Sequence, residues 1–214
     1  MLSTLINTSG EVSSNYHHGN LRASLIVAGL EILESTQSTE FSLRELTRQV
    51  GVTANAIYRH FANKEELLTA MASEGFRQLI NMQGAALQAS INKVANKPEN
   101  FLAAGTAYIT FARQHPTLFR LMYGRFSAST HHEEIKTAAQ LAYDGMRYSL
   151  AATLEKSVDD PTVTVAAIHA WSTIHGLSHL IIDGQVDTHT TDIDRLIDDV
   201  LHQGMPLFTL HKSK

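Results

Sequence analysis

A short run of polar side chains has the chemistry needed to contact nucleic acid. Tyr58, Arg59 and His60 are adjacent, and Lys64 follows four residues later. Hydroxyl, imidazole and cationic groups of this kind bind phosphate oxygens and carry no sequence information themselves. Asn55, three residues before Tyr58, has an amide that can pair with the edge of adenine. The run therefore combines phosphate-binding groups with one candidate base-reading group.

Two short helices joined by a tight turn are predicted to position these side chains. Leu43, Leu46 and Val50 recur at helical spacing and define the buried face of the first helix. Gly51 is predicted to end that helix, because glycine adopts the left-handed conformation at low cost. Thr53 is predicted to cap the second helix by accepting a hydrogen bond from a backbone N–H group. This pattern is typical of a helix-turn-helix, whose second helix enters the major groove of DNA.

Eight residues of this stretch are predicted to contact DNA. Ala54 and Asn55 begin the second helix, where a small residue and an amide favour close approach and base reading. The predicted phosphate contacts are Ser42, Arg44, Thr53, Tyr58, His60 and Lys64. Four cationic residues and one anionic residue give residues 42–64 a net charge of +3. Packing of Tyr58 and His60 against the following helix is the alternative.

The segment GVTANAIYRHFANKEELL, residues 51–68, resembles the recognition helix and following helix of the TetR/AcrR transcriptional regulators. The family has a Gly-Val-Ser/Thr turn, then Tyr-x-His-Phe and Lys-Glu-x-Leu. The matching positions here are Tyr58, His60, Phe61, Lys64, Glu65 and Leu67. The resemblance covers about residues 21–71 and departs at Thr47, where the family usually has alanine. It implies a DNA-binding domain of three helices followed by a helical ligand-binding and dimerisation domain.

Composition limits the other possibilities. The chain has 214 residues with 43% hydrophobic and 18% charged residues, which suits one large or two small globular domains. The absence of cysteine excludes disulfides and thiol chemistry and is consistent with a cytoplasmic protein. No apolar run is long enough to predict a membrane span, and the N-terminal residues do not resemble a signal peptide. Because the net charge is −4, any DNA contact must be local.

The predicted fold is all-α, with about nine helices in two domains. Residues 1–16 are predicted to form a flexible tail, residues 17–66 the helix-turn-helix domain and residues 67–214 the ligand-binding and dimerisation domain. Glycines at 75 and 84 are expected to bend the long helix that begins near Asn63. A helix is expected over residues 131–158, and the last helix is expected to be interrupted near Gly204 and Pro206.

A second resemblance concerns the C-terminal half. The segment WSTIHGL, residues 171–177, with the preceding HPTLFRLMYG, is similar to the WHG class of TetR C-terminal domains. Aromatic and methionine side chains in this half suit an adaptable apolar pocket. The predicted ligand-binding residues are Tyr108, Phe111, Phe119, Met122, Met146, Trp171 and His175. An ordinary hydrophobic core is the alternative for most of them.

A homodimer is predicted because one DNA-binding domain, or head, reads only a short half-site. Specific binding therefore needs two heads about 34 Å apart, which is one helical turn of DNA, or a multiple of this distance. The last two long helices have apolar stripes that could pair with a second copy as a four-helix bundle. The candidate interface residues are Ile168, His169, Ile193, Ile197, Val200, Leu201 and Leu207. An intramolecular core would use some of the same residues.

Metal and catalytic chemistry are weakly supported. His175 and His179 are spaced for two ligands on one helical face, and residues 131–134 read HHEE, but no third ligand is evident. No serine hydrolase, nucleotide-binding or metalloprotease motif is present, so neither an enzyme nor a cofactor is predicted.

The sequence therefore predicts a cytoplasmic, ligand-responsive transcriptional regulator, in the form of a repressor released from a palindromic operator on double-stranded DNA by a small molecule. Two alternatives stay open. One is a helical small-molecule-binding or interaction protein without a transcriptional role, and the other is a metal-responsive regulator.

Overall fold

The computed structural model describes residues 21–40, 42–93, 96–124, 133–187 and 189–209, without the side chains of residues 205–209. Nine α-helices and no β-strand occur in these ranges, so the predicted all-α class is confirmed. The helices are α1 (Leu21–Thr36), α2 (Leu43–Val50), α3 (Ala54–Tyr58), α4 (Lys64–Asn92), α5 (Lys97–Gln114), α6 (Pro116–Tyr123), α7 (Glu133–Leu154), α8 (Pro161–Ile182) and α9 (Ile193–Thr209). The predicted tail, residues 1–16, lies outside the described residues.

Helices α1 to α3 form a small head around one apolar core. Leu25, Leu33, Leu46, Ile57 and Phe61 are almost completely buried in it. These residues come from all three helices and from the turn after α3, so their burial fixes the angle between α2 and α3. The backbone of the turn is thereby held on a well-packed base.

Helix α4 is a single continuous helix that extends from the head into the body. It begins at Lys64 and is capped by Asn63, whose side chain accepts a hydrogen bond from the Glu66 N–H at 2.9 Å. Gly75, where the sequence predicts a bend, has a packing role. A Cβ atom there would lie 2.7 Å from Met122 Sδ on α6, so glycine is what permits the close approach of α4 and α6.

Helices α5 to α9 pack with the second half of α4 to form the body. Helix α5 lies against α4, α8 and α9, and α7 lies against α4 and α8. Helix α8 is long and apolar enough to cross a membrane by length and composition alone, but Val163 and Ala167 within it are fully buried in the protein core.

Two helix ends differ from expectation. Helix α7 stops at Leu154, because Glu155 adopts a left-handed conformation with φ of 57°. Helix α9 continues to Thr209 without the interruption expected near Gly204 and Pro206. Proline keeps a helical φ and removes one backbone hydrogen bond, so a helix near its end can tolerate it.

Candidate DNA-binding surface and effector cavities

The turn between α2 and α3 is held by local hydrogen bonds. Gly51 ends α2 in the left-handed conformation, with φ of 74°, and its N–H donates to the Thr47 carbonyl at 2.9 Å. Ser42 caps α2 by accepting from the Arg44 N–H at 3.2 Å. Thr53 caps α3 by accepting from the Ala56 N–H at 3.3 Å. The predicted helix-turn-helix geometry is therefore present, with Ser42 and Thr53 acting as caps.

The outer face of this motif is exposed as a candidate DNA contact requires. Tyr58 is 52% exposed, whereas its neighbour Ile57 is 2% exposed and anchors the helix. The other exposed candidates are Ser42, Arg44, Thr53, Ala54, Asn55 and His60. Lys64 is partly buried at the first position of α4. This exposure favours DNA contact over packing for Tyr58 and His60.

A first cavity of about 210 Å³ lies between α4, α5, α7, α8 and α9. Four of these helices contribute glycines to its wall, namely Gly84, Gly105, Gly145 and Gly204, and we call it the glycine-lined cavity. Most of its other walls are aliphatic. It is the kind of apolar space, with few polar groups, in which proteins bind small molecules.

A second cavity of about 220 Å³ adjoins it and is lined by Phe76, Tyr108, Tyr123, Tyr143 and Trp171, among others. We call it the aromatic cavity. The Trp171 ring lies 5.9 Å from the Tyr143 ring and 6.4 Å from the Tyr123 ring, measured between centroids. Such aromatic side chains offer large apolar surfaces and also hydrogen-bonding groups.

One polar pair lies beside the aromatic cavity. The Tyr108 hydroxyl and His175 Nδ1 are 2.9 Å apart. Burial lowers the pKa of His175 to about 4, with a smaller contribution from neighbouring His179. Burial also raises the pKa of Tyr108 far above its ordinary value and that of Tyr123 to about 12. At neutral pH the Tyr108 hydroxyl and the His175 imidazole are therefore both neutral, and the hydrogen-bonded pair carries no charge.

The predicted ligand-binding residues divide into two groups. Tyr108, Met146 and Trp171 line the cavities, and His175 is bonded to Tyr108. Phe111, Phe119 and Met122 differ from the prediction, because they are 0–1% exposed and lie outside both linings. They fill the solid core instead. Residue type alone could not separate these groups, since both are aromatic or contain methionine.

Several lining residues were not predicted from the sequence. Tyr143 lies one helical turn before Met146 on α7, and this spacing could have identified it as a residue on the same face of the helix. The glycines of the glycine-lined cavity have no sequence pattern that identifies them as lining residues. They line one cavity only because the four helices that carry them come together around it.

Polar contacts connect the head to the body. The Glu34 carboxylate at the end of α1 accepts from the Leu118 N–H in the first turn of α6, at 3.2 Å. Arg22 at the start of α1 pairs with Glu134 on α7, at 3.0 Å. Desolvation raises the pKa of the Glu34 carboxyl, although the Leu118 hydrogen bond and His115 oppose this. The head is thus joined to α6 and α7 as well as to α4.

Within the part of the chain that the structure describes, no three His, Cys, Asp or Glu side chains come together to hold a metal ion. His175 and His179 are packed ring to ring, with centroids 4.8 Å apart, and His179 Nδ1 lies 3.2 Å from an Asp183 oxygen. The histidines at 131 and 132 lie outside the described residues.

A capped helix-turn-helix on a helical body with internal cavities defines the class of ligand-responsive DNA-binding regulators. Comparison with known proteins agrees. Residues 25–71 match the family model described as bacterial regulatory proteins, tetR family, and residues 101–203 match a tetracyclin repressor-like C-terminal domain. The chain therefore belongs to the TetR family of transcriptional regulators, and the resemblance inferred from its sequence is confirmed.

Individual relatives are more distant. A nucleoid occlusion factor SlmA from Marinomonas sp. (strain MWYL1) is 30% identical over 105 residues, which are 47% of this chain and 49% of that protein. The chain thus spans about half the length of the curated relatives it matches.

Solved structures are similar over most of the chain. A protein of unknown function from Rhodococcus sp. RHA1 has a TM-score of 0.70 and 28% identity, covering 89% of this chain and 96% of that one. The Bacillus subtilis regulator FadR, solved with stearoyl-CoA, has a TM-score of 0.60 and 17% identity, covering 85% and 96%. The second likeness shows the shared fold alone.

Proposed function

We propose that this regulator is a homodimeric, cytoplasmic repressor that binds a palindromic operator and leaves it when a small molecule occupies the body. Family membership supports DNA and ligand binding in general, and such regulators are generally not enzymes. The observation that carries the finer proposal is the connection of an exposed recognition face to a body with internal cavities. Both parts share helix α4, which begins beside the recognition helix and lines both cavities.

The proposed DNA contacts fall into two kinds. Asn55 and Ala54 would meet base edges at the start of α3, and their substitution would change the preferred sequence. Arg44, Tyr58, His60 and Lys64 would hold phosphates, and their loss would weaken binding to all sequences by a similar factor. Thr53 and Ser42 already accept backbone hydrogen bonds, so each would contact phosphate as a hydroxyl donor.

The dimer is proposed to form through α8 and α9. Val165, Ile168 and Leu180 on α8 are 71%, 47% and 48% exposed, which is unusual for large apolar side chains. Ile193, Ile197 and Leu201 on α9 are instead buried within one subunit. In this proposal the buried apolar side chains of α9 belong to the core of one subunit, and the exposed ones of α8 belong to the interface. His169 is exposed, Val200 is partly buried, and the side chain of Leu207 lies outside the described part.

Release from DNA is proposed to be a shift between two conformations. In one conformation the two heads have the spacing of the operator half-sites, and in the other they do not. A ligand that binds the second conformation more tightly shifts the protein toward it and thereby lowers the affinity for the operator. The size of this decrease is set by the difference between the ligand's affinities for the two conformations. A difference of about 1.4 kcal/mol changes that affinity tenfold. Helices α4 and α6 are the proposed carriers of this change, because α4 lines the cavities and α6 is joined to the head by Glu34.

Selection of binding sites from random duplex DNA tests the proposal. The wild-type protein is expected to enrich a palindrome. Tyr58→Ala and Lys64→Ala are expected to enrich no sequence at the same protein concentration, because weaker binding to all sequences leaves too little DNA captured. Lys93→Ala is the matched control, because Lys93 is an exposed cation at the far end of α4. Failure of a folded wild-type dimer to enrich any sequence would contradict specific operator binding.

A further inference from the structure

The glycine-lined and aromatic cavities are neighbours across a thin wall. Both are lined by Gln83, Ala142, Met146 and Ile174. Met146 is unbranched and flexible, so its side chain can move aside more easily than a branched one. A molecule larger than either cavity can therefore extend from one into the other.

The glycine-lined cavity has no charged residue among its 19 lining residues. Its three polar members are Gln83, Ser149 and Thr173. The Gln83 amide donates to the Ala104 carbonyl at 3.2 Å, and the Thr173 hydroxyl donates to the His169 carbonyl at 3.0 Å. A carboxylate, phosphate or ammonium group would lose its hydration there without meeting an opposite charge, which is strongly unfavourable.

The aromatic cavity adds hydrogen-bonding groups without adding charge. Its lining contains the tyrosines Tyr108, Tyr123 and Tyr143, the indole of Trp171 and the amide of Gln83, and no acidic or basic residue. The Tyr108 hydroxyl faces His175, which is itself partly buried. A single polar group of a ligand can exchange hydrogen bonds at this end, while a full charge finds no counterion.

The solvent-exposed residues of the glycine-lined cavity lie on α4 and α7. The exposed members of its lining are Gly84 on α4 and Leu141 and Gly145 on α7. A Cβ atom built at Gly84 or Gly145 meets no atom within 4 Å. Because neither glycine has a side chain, the space between α4 and α7 beside the cavity stays open, and we call it the passage.

We propose that the two cavities form one site for a single uncharged, largely apolar molecule. Its apolar body occupies the glycine-lined cavity, and one hydrogen-bonding group points toward Tyr108 in the aromatic cavity, where the Tyr108 hydroxyl also contacts His175. The molecule enters between α4 and α7. Only its identification as the effector rests on the proposed function, since the binding site itself is defined by the lining.

Three probes of equal chain length test the preference for an uncharged ligand. Decan-1-ol, decanoate and decyltrimethylammonium are titrated into the full-length protein at pH 7.5, and binding is measured by calorimetry. The concentrations stay below the solubility limit of decan-1-ol and below the micelle concentrations of the two charged probes. Decan-1-ol is expected to bind at least tenfold more tightly than either charged probe. Equal or tighter binding of a charged probe would overturn the proposal, and so would failure of decan-1-ol to bind.

Trp171 reports on the joint occupation of the cavities. It is the only tryptophan in the chain and lines the aromatic cavity, so its fluorescence comes from the site itself. Decan-1-ol is expected to change this fluorescence with the same midpoint as the calorimetric titration. Calorimetric binding without any change at Trp171 would overturn the joint site.

Entry of the ligand between α4 and α7 is tested by a substitution that narrows the space between these helices. Gly145→Leu is expected to weaken decan-1-ol binding at least tenfold, because the added side chain enters the open space between α4 and α7. Ala152→Leu adds a side chain to an exposed position of the same helix outside the lining and is expected to leave binding unchanged. Unchanged binding by a folded Gly145→Leu protein would overturn the proposed route.

Operator binding is measured separately with the selected palindrome. Decan-1-ol binding that leaves operator affinity unchanged would support this site and contradict the effector role. Operator binding by a protein that binds none of the three probes would support the proposed regulator and overturn this site.

Discussion

At the scale of single residues, burial keeps the hydrogen-bonded pair of Tyr108 and His175 uncharged. The imidazole of His175 is desolvated, which lowers its pKa from 6.5 to about 4. Around it lie the neutral hydroxyl of Tyr108, the ring of Tyr123 and the imidazole of His179, which itself faces Asp183. In this environment the neutral imidazole is the form that the folded protein stabilises.

The lowered pKa of His175 predicts that the protein loses stability as the pH falls. Because the unfolded chain takes up the proton near pH 6.5 and the folded protein near pH 4, the stability held above pH 6.5 is lost progressively as the pH falls through this window. The imidazole is only partly buried, so solvent screening leaves an effect of about 1 kcal/mol. Thermal unfolding between pH 7.5 and 4 should therefore show a steeper loss for the wild type than for His175→Gln. Parallel curves for the two proteins would contradict this.

At the scale of elements, α4 uses its glycines for two different purposes. Gly75 allows close contact with Met122 and Leu118 on α6, whereas Gly84 faces open space beside the cavity. The sequence predicted bends at both positions. Only the neighbouring helices reveal that one glycine is a packing site and that the other leaves room at a cavity opening.

Alanine substitutions should separate these two roles. Gly75→Ala places a Cβ atom against fully buried Met122 and is expected to destabilise the protein by about 1–3 kcal/mol. Gly84→Ala on the same helix meets no atom and should stabilise it by about 0.4–1 kcal/mol through helix propensity and reduced chain entropy. Urea unfolding monitored by circular dichroism measures both. Equal changes in the free energy of unfolding for the two substitutions would show that α6 is not packed closely against Gly75.

At the scale of the whole molecule, the exposed apolar side chains on α8 need a partner. Exposed clusters of this kind mark interaction surfaces. In the proposed dimer, the body would hold the two subunits together while α4 and α6 connect it to the heads. The spacing of the two heads would then depend on the body, since neither head sets the distance to the other.

The dimer surface is tested by adding a charge to it. Ile168→Glu is expected to give a monomer with its helical content intact, because an unpaired carboxylate would be buried in the interface. Thr137→Glu adds the same charge to an exposed position on α7 and should leave the dimer unchanged. Light scattering after size-exclusion chromatography gives the mass of each. A dimeric Ile168→Glu protein would place the interface elsewhere.

The sequence by itself determined the features that depend on contacts within a few residues. The caps at Thr53 and Asn63 and the left-handed Gly51 are local, since each closes a hydrogen bond no more than four residues away. The helical spacing of Leu43, Leu46 and Val50 likewise identified the motif, because one buried face repeats along one helix.

Only the tertiary structure decided which body residues surround open space. Phe119 is completely buried, whereas Tyr108 and Trp171 line a cavity, although all three had the same sequence-level description. Gly84 and Gly145 line the same cavity only because α4 packs against α7. Helical periodicity tells which side of a helix is apolar, but the helix that covers it, and the space left between them, depend on how the whole chain packs.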